Sequence, residues 1–311
     1  MLITRKLKRY SKKFNKSLTN NYLSLYDSNP DMREILKYTL DGGKRMRPAI
    51  IYDILKTLNN DIDGSNIAIT IELIHTSSLI IDDLPCMDND DIRRGKESLH
   101  KHYGLLTAKI ASTVLISDAH MMLFKMYDTV SDQYTTDDLE NRILYILENI
   151  TTNIGIDGAA YGQYLDMIPK YSDEFVEDVL NNEIKNYNRE DSIQEIVEKK
   201  TGVIFEIAFV SSYIIGGGDI KKIDDVKLAS HYFGTIFQIY DDFMDEELDK
   251  SRMVNGLTPN YVIRFGRDHS IDVMKKTITE FKTIMTRLGL YSKFFSEMIL
   301  YIFKKTRMSY K

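Results

Sequence analysis

The sequence is poor in three features that would each point to a different class of protein. It has one cysteine, Cys86, among 311 residues, which excludes an intramolecular disulfide and a zinc site built from several cysteines. A single cysteine also fits a reducing compartment, so a cytoplasmic location is expected. The net charge is −5, so no global positive field indicates nucleic acid as a partner. No stretch approaches the roughly 18 apolar residues of a membrane-spanning helix, so no integral membrane segment is predicted.

Proline and strand-like alternation are scarce as well. Only five prolines occur, which favours long uninterrupted helices. Apolar residues instead recur at helical spacing, for example at positions 32, 35, 36 and 40. We therefore predict an all-α fold, with residues 1–311 forming a single domain. Helices are predicted at 31–40, 49–58, 66–82, 104–127, 139–156, 157–168, 173–186, 192–215, 224–245, 269–288 and 293–304.

The N-terminal segment, residues 1–30, is strongly basic. Seven lysines and arginines precede the first acidic residue, Asp27. A transit peptide is acid-poor in the same way, so organellar targeting stays open. Lysine dominates over arginine and no cleavage pattern follows, which favours a basic N-terminal helix.

The most informative stretch runs from Glu72 to Gly95. It begins as an apolar run and ends in five carboxylates and two arginines, namely Asp82, Asp83, Asp88, Asp90, Asp91, Arg93 and Arg94. So many like charges beside an apolar helix cost free energy unless a cation neutralises them. Mg²⁺ takes oxygen ligands, typically one or two carboxylates with substrate phosphates, and arginine binds phosphate as a planar fork. The stretch therefore predicts a Mg²⁺-diphosphate site, although a solvated acidic loop has the same composition.

A second acidic motif lies far along the chain, in Phe237–Asp245. Asp241 and Asp245 are four residues apart and share a helix face, with Gln238 one turn earlier. In the first motif, Asp82 and Asp88 are six apart, about 120° around an ideal helix, so a local distortion at Pro85 is required to bring them together. Two such motifs could hold a metal cluster between them, as bundle-core sites do.

Four further clusters carry polar or cationic groups. The turn Gly42–Pro48 contains three cations before a helix start, which suits a second anion. His75 shares a helix face with Asp82, although alone it would be taken as a core histidine. Gln163 and Asp166 share another face, and Lys199–Gly202 interrupts a helix, where a lysine could bind phosphate or merely flank the break.

Together these six motifs resemble the trans-isoprenyl diphosphate synthases of the polyprenyl synthetase family. The similarity runs over about residues 41–266, and the spacing within Asp82–Gly95 resembles that of plant and bacterial geranylgeranyl and farnesyl diphosphate synthases. The resemblance implies a bundle of ten or more mostly antiparallel helices around a central cavity, usually in a homodimer. It implies a prenyltransferase that condenses isopentenyl diphosphate with an allylic diphosphate through a Mg²⁺-assisted carbocation.

The resemblance also implies roles for individual residues. Three Mg²⁺ ions on the allylic diphosphate would be surrounded by Asp82, Asp83, Asp88, Asp241, Asp242 and Asp245, with Arg93 and Lys200 on its oxygens. Isopentenyl diphosphate would be held by Lys44, Arg47, His75 and Arg94. The allylic cation would be faced by Gln163, Gln238 and the Thr201 carbonyl. Released diphosphate can take the final proton, so no protein base is needed.

In this family the residue five positions before the first aspartate often forms the floor of the chain-growth cavity. Here it is Ser77, followed by Ser78; so small a floor predicts a twenty-carbon product, geranylgeranyl diphosphate. The chain also departs from the family pattern. Ile81 replaces a frequent histidine, and the Gly-Lys pair expected near Asn255 is missing from the unusual loop 246–256, so Lys250 or Arg252 is expected to substitute.

Three alternatives follow from the same motifs. A farnesyl diphosphate synthase would stop at fifteen carbons. A terpene cyclase would also ionise a diphosphate, but it needs no second diphosphate site such as Lys44 and Arg47 offer. A non-catalytic or weakly active regulatory subunit of a heteromeric synthase would be expected to lose aspartates, and all six are present.

Overall fold

The computed structural model of the chain describes residues 3–58, 61–167, 198–251 and 260–306. Helices make up nearly all of the regular structure in these ranges, so the prediction of an all-α fold is confirmed. In chain order they are α1 (Ile3–Ser17), α2 (Pro30–Leu40), α3 (Met46–Thr57), α4 (Ser65–Asp82), α5 (Leu99–Tyr103), α6 (Leu105–Val130), α7 (Thr136–Ile154), α8 (Ala159–Met167), α9 (Val203–Ile215), α10 (Ile223–Ser251), α11 (Tyr261–Phe265), α12 (Arg267–Arg287) and α13 (Lys293–Lys305). Within the described ranges no helix has the length and apolar character needed to cross a membrane.

One short hairpin departs from the helical pattern. Strand β1 (Ile92–Arg93) pairs antiparallel with β2 (Lys96–Glu97) through a two-residue turn, Arg94 and Gly95. Both turn residues have left-handed backbone angles, with φ of 56° and 80°, as tight hairpin turns require. Strands of two residues show no alternation in a sequence, so the pattern analysis missed them.

Two helix boundaries differ from the prediction. The segment expected to be one helix over 192–215 contains a π-helical turn at Glu198–Gly202 before α9 begins. Helix α10 continues six residues past Asp245, where Lys250 forms ion pairs with Glu246 and Glu247 on its own helix. The predicted helix 173–186 lies outside the described residues.

The chain divides into two compact units. Unit 1 comprises Met1–Leu147 and Ser211–Gly218, and unit 2 comprises Glu148–Val210 and Asp219–Lys311. The chain crosses from one unit to the other within α7, within α9 and after Gly218. A single domain for the whole chain stays a prediction.

The core of unit 1 is built around α4. Every residue from Ser65 to Ile74 is buried, so this helix is covered on all sides. Small polar side chains bring it close to α6, since Thr70 donates a hydrogen bond to the Ala119 carbonyl at 3.2 Å. Burial of α4 fixes the direction in which its C-terminal aspartates emerge.

The core of unit 2 is an aromatic cluster that supports α10. Phe233 of α10 contacts Phe205, Phe281 and Phe295, with ring centroids 5.1, 5.6 and 6.0 Å away. Edge-on and tilted rings of this kind stabilise a core beyond the burial of their area. The cluster anchors the helix that carries the second acidic motif.

Candidate active site

The first acidic motif forms a tight turn at the end of α4. The Asp88 amide donates to the Asp82 carbonyl at 2.9 Å, and the Leu84 carbonyl accepts from the amides of Met87 and Asn89. Asn89 has a left-handed backbone, with φ of 52°. The turn thus supplies the distortion that the sequence required between Asp82 and Asp88.

Asp83 of this motif is buried and bound to an arginine. It is 3% exposed, and Arg93 of β1 donates from Nε to its Oδ1 at 2.9 Å and to its Oδ2 at 3.2 Å. Burial raises the pKa of Asp83, while the Arg93 guanidinium opposes that rise. Arg93, predicted to bind diphosphate, therefore neutralises the motif in this structure.

The cations assigned to the second substrate separate into exposed and buried groups. Lys44 is exposed, whereas Arg47 is 9% exposed near the start of α3. Arg94 donates to the Thr39 carbonyl at 3.0 Å and lies 3.5 Å from Glu72. Burial and the neighbouring Arg47 and Arg94 lower the pKa of His75 well below its usual range, so its imidazole is neutral at pH 7.

The second motif lies on an unbroken stretch of α10. Asp242 is 4% exposed, and its carboxylate accepts hydrogen bonds from the Tyr261 amide and the Gln238 side chain, both at 2.8 Å. Burial raises its pKa to about 7, against the lowering effect of these two donors. Asp245 is exposed and Asp241 is half-buried. Gln238, predicted to face the allylic cation, thus also orients Asp242.

Lys200 lies in the π-helical turn before α9. Its ammonium group forms an ion pair with Asp166 of α8 at 2.5 Å. The backbone of this turn passes directly over α8, because a Cβ at Gly162 would come within 2.4 Å of the Lys200 amide nitrogen. Gln163 and Thr201, the other two residues predicted near the cation, are half-buried in the same two elements.

The predicted chain-length residues lie on the buried face of α4. Ser77 is 1% exposed, and its hydroxyl lies 2.8 Å from that of Ser112 on α6. Ser78 is half-buried and donates to the His75 carbonyl at 2.9 Å. Both positions therefore hold small side chains inside unit 1.

The acidic residues are suited to a hard divalent cation by their chemistry. Among the described residues, no group of three or more His, Cys, Asp or Glu side chains converges in a way that would hold a metal by itself. Carboxylate oxygens are nevertheless the donors that Mg²⁺ prefers, and Mg²⁺ usually shares them with substrate phosphates. The donor set therefore fits an ion that is bound together with a diphosphate.

Sequence analysis missed several residues that support these groups. Asp166 holds Lys200, and Glu72 accepts hydrogen bonds from Arg45 and Arg94. Asn260, 2% exposed, donates to the Asp242 carbonyl and to Asp249. Asp166 shares a helix face with Gln163 and so gave a signal in the sequence, whereas the sequence before Asn260 has no recognisable pattern. Of the expected replacement cations, Lys250 is paired with glutamates of its own helix, and Arg252 lies outside the described residues.

The fold and these motifs together define a helical transferase for diphosphate substrates. Residues 29–256 match the family model described as polyprenyl synthetase. The chain is 31% identical to the farnesyl diphosphate synthase of Bacillus subtilis over 300 residues, covering 91% of this chain and 93% of that one. It is also 31% identical to the mitochondrial geranylgeranyl pyrophosphate synthase 6 of Arabidopsis thaliana over 252 residues, covering 77% and 69%.

Solved structures agree with this assignment at the level of the fold. The geranyltransferase of Legionella pneumophila has a TM-score of 0.78 at 23% identity, covering 99% of both chains. The chain belongs to the polyprenyl synthetase family, and it is a trans-prenyltransferase.

Proposed function

We propose that this enzyme condenses isopentenyl diphosphate with an allylic diphosphate and releases geranylgeranyl diphosphate as its main product. Family membership supports the reaction type, and the similar proteins include both farnesyl and geranylgeranyl diphosphate synthases. The choice of the twenty-carbon product rests on one observation, the small buried side chain of Ser77. The alternative product is farnesyl diphosphate.

Mg²⁺ is the proposed cofactor, and it would neutralise the diphosphate leaving group. The half-buried or exposed carboxylates, Asp82, Asp88, Asp241 and Asp245, are the first choice as direct ligands. Asp83 and Asp242 are buried and hydrogen-bonded, so we assign them mainly to holding the two motifs in place.

The cations bind and orient the two substrates. Arg93 and Lys200 donate to the allylic diphosphate, and each then exchanges an aspartate partner for a phosphate oxygen. Isopentenyl diphosphate is held by Lys44, Arg47 and Arg94, beside neutral His75. Holding its double bond next to the allylic carbon makes the encounter effectively unimolecular.

The carbon–oxygen bond of the allylic diphosphate then breaks and leaves a delocalised cation. Oxygen atoms of Gln163, Gln238 and the Thr201 backbone stabilise this charge. A new carbon–carbon bond forms to isopentenyl diphosphate, and a proton passes to the released diphosphate.

The decisive experiment is a product assay with isopentenyl diphosphate, Mg²⁺ and allylic starters of five, ten and fifteen carbons. Asp82→Asn and Asp241→Asn should each lower kcat by roughly 100-fold or more, the range for losing one transition-state contact. Asp91→Asn is the control, because this exposed aspartate pairs with Lys101 instead. Chelation of Mg²⁺ should abolish turnover. No elongation from any starter would favour the regulatory-subunit alternative.

Product length is tested at Ser77. Ser77→Met should shift the main product from twenty toward fifteen carbons, because a larger side chain shortens the cavity. Thr279→Met on the exposed side of α12 is the control for an added methionine. A wild-type product of fifteen carbons would contradict the Ser77 assignment while leaving the reaction intact.

We further propose a homodimer in the cytoplasm. Large apolar side chains of α6 are exposed, with Leu106 at 73% and Phe124 at 66%, and such exposure often marks an interface. Sedimentation analysis of the purified chain, compared with Phe124→Lys, tests the dimer.

A further inference from the structure

The basic turn between α2 and α3 contains a buried cation, Arg45, that donates hydrogen bonds to three neighbouring helices. Arg45 is 3% exposed, whereas its neighbour Lys44 is exposed. The sequence places Lys44, Arg45 and Arg47 together and gives no sign that one of them differs. In the structure Lys44 is exposed and Arg47 is also buried, at 9% exposure, while all three guanidinium nitrogens of Arg45 donate hydrogen bonds within the chain.

Arg45 donates hydrogen bonds to residues of three different helices. Its Nε donates to Asn15 of α1 at 3.0 Å, and its terminal nitrogens donate to Glu72 of α4 at 2.6 Å and to the Leu40 carbonyl of α2 at 2.5 Å. The guanidinium also lies 5.0 Å from the ring of Phe14 on α1. A planar fork is needed for these bonds, and a lysine ammonium cannot make them all.

Glu72 connects Arg45 to a predicted substrate contact. The same carboxylate oxygen, Oε1, lies 2.6 Å from Arg45 and 3.5 Å from Arg94. Glu72 is 2% exposed, so its charge requires these partners. The position of Arg94 therefore depends on the Arg45–Glu72 pair.

The backbone of the turn is shaped around this pair. Arg45 has φ of 57°, a left-handed conformation that is strained for a residue with a side chain. A Cβ at Gly43 would lie 2.7 Å from an Arg45 nitrogen and 3.1 Å from Glu72. The turn is thus held against the buried pair, and Lys44 is held on its outer side.

We propose that Arg45 is a positioning residue for the isopentenyl diphosphate site. Through Glu72 it fixes Arg94, and through the strained turn it fixes Lys44 and the start of α3 at Arg47. Asn15 and Phe14 belong to the same support, although α1 precedes the residues that match the family. The inference rests on the proposed function, which assigns Lys44, Arg47 and Arg94 to that substrate.

Arg45→Lys tests the proposal because it keeps the charge and removes the fork. We expect KM for isopentenyl diphosphate to rise about tenfold, equivalent to about 1.4 kcal/mol of binding. KM for the allylic substrate and kcat should stay within about twofold. The Kd for isopentenyl diphosphate, measured by calorimetry, should rise in parallel. This measurement reports binding at the site without turnover.

Two further variants separate positioning from general loss of stability. Asn15→Ala removes the hydrogen bond to the Arg45 Nε, so it should raise KM for isopentenyl diphosphate by about threefold. This variant tests the proposal if Arg45→Lys does not fold. Tyr10→Phe is the matched control, because it removes another α1–α3 hydrogen bond, to Asp53 at 3.0 Å, and leaves Arg45 intact. It should not change either KM.

The outcomes distinguish this proposal from the proposed function. A wild-type enzyme that elongates, with unchanged KM and Kd for isopentenyl diphosphate in folded Arg45→Lys or Asn15→Ala, would overturn the positioning role alone. Equal changes in both substrates' KM values would also overturn it, because they indicate a general structural effect. A wild-type enzyme that neither elongates nor binds isopentenyl diphosphate would overturn both.

Discussion

The two aspartate-rich motifs are similar in sequence and differ in how each buries its inner carboxylate. In the first motif, Asp83 is neutralised by an arginine, Arg93, from a neighbouring hairpin. In the second, the hydrogen-bond donors to Asp242 among the described residues are neutral groups, the Tyr261 amide and Gln238. The first motif occupies a turn and the second an unbroken helix.

This difference indicates that the two motifs stabilise a buried carboxylate in two different ways. A carboxylate removed from water must be paired with a cation or shift its pKa toward the neutral form. Burial raises the pKa of both carboxyls, but Arg93 opposes the rise at Asp83, whereas the pKa of Asp242 reaches about 7. The partner of Asp83 is also a predicted phosphate ligand, so substrate binding in unit 1 would compete with an existing ion pair.

The largest expected effect comes from removing the cation of the first motif. Arg93→Met leaves Asp83 buried without that charge, and we expect a loss of about 3 kcal/mol in the free energy of unfolding. This value is at the low end for buried pairs because the Arg93 side chain is 34% exposed. Urea denaturation at pH 7 measures the loss.

Asp242→Asn is the matched variant in the second motif. Its carboxylate has no cationic partner among its hydrogen-bond donors, so we expect a change within about 1 kcal/mol. Equal losses of unfolding free energy in Arg93→Met and Asp242→Asn would show that the two motifs are stabilised in the same way. That result would contradict the difference between Asp83 and Asp242.

A smaller effect is expected at Asn260, which supports only the second motif. Its Nδ2 donates to the Asp242 carbonyl at 3.0 Å, and its Oδ1 caps α11 by accepting from the Ile263 amide at 3.0 Å. Asn260→Ala should lower the unfolding free energy by about 2 kcal/mol, through a lost cap and a lost hydrogen bond to the buried Asp242 carbonyl. It should also lower kcat.

The control for Asn260→Ala is Asn153→Ala. Asn153 is likewise buried in unit 2 and donates to Glu206 at 3.0 Å, away from the acidic motif. A similar loss of stability without loss of kcat is expected there. If both variants reduce kcat equally per folded molecule, Asn260 has no specific role at the motif.

The smallest effect concerns His75, which shares the arginine-rich surroundings of the first motif. Its folded-state pKa lies well below 6.5, so the unfolded chain binds a proton that the folded chain does not. Stability from this group is complete above pH 6.5 and is lost as the pH falls toward the folded pKa. The slope is at most about 1.4 kcal/mol per pH unit.

Urea denaturation at pH 7.5 and pH 5 checks this expectation. Lowering the pH from 7.5 to 5 should reduce the unfolding free energy of the wild type relative to that of His75→Gln, because Asp242 titrates in both proteins and His75 only in the wild type. An identical pH dependence in both proteins would mean that burial and the arginines do not hold His75 neutral.

Periodicity predicts the helices well where one face is apolar and the ends carry signals. The pattern predicts a helix over 31–40, and α2 spans Pro30–Leu40, with Asn29 capping the Met32 amide. The expected helix 66–82 corresponds to α4, Ser65–Asp82. The turn at Pro85 also follows from the sequence, because proline cannot continue the hydrogen-bonding pattern.

Orientation of individual charged side chains could not be predicted in the same way. Lys44, Arg45 and Arg47 are equivalent by composition, and only the packing of α1, α2 and α4 decides that Arg45 is buried. The π-helical turn before α9 depends on tertiary contact, since a Cβ at Gly234 would lie 3.0 Å from the Gly202 backbone. Such long-range contacts leave no local pattern.

That π-helical turn has a consequence for insertions and deletions. A π-helical turn accommodates an extra residue within a helix, and this one contains Lys200 and ends where the regular α9 begins. Deleting one residue at Thr201 or Gly202 would let the α-helix close through this region and rotate Lys200 by about 100° relative to α9. The Lys200 ammonium group would then lose its ion pair with Asp166. Most helix ends tolerate the deletion of a single residue, but such a deletion at this helix end should inactivate the enzyme.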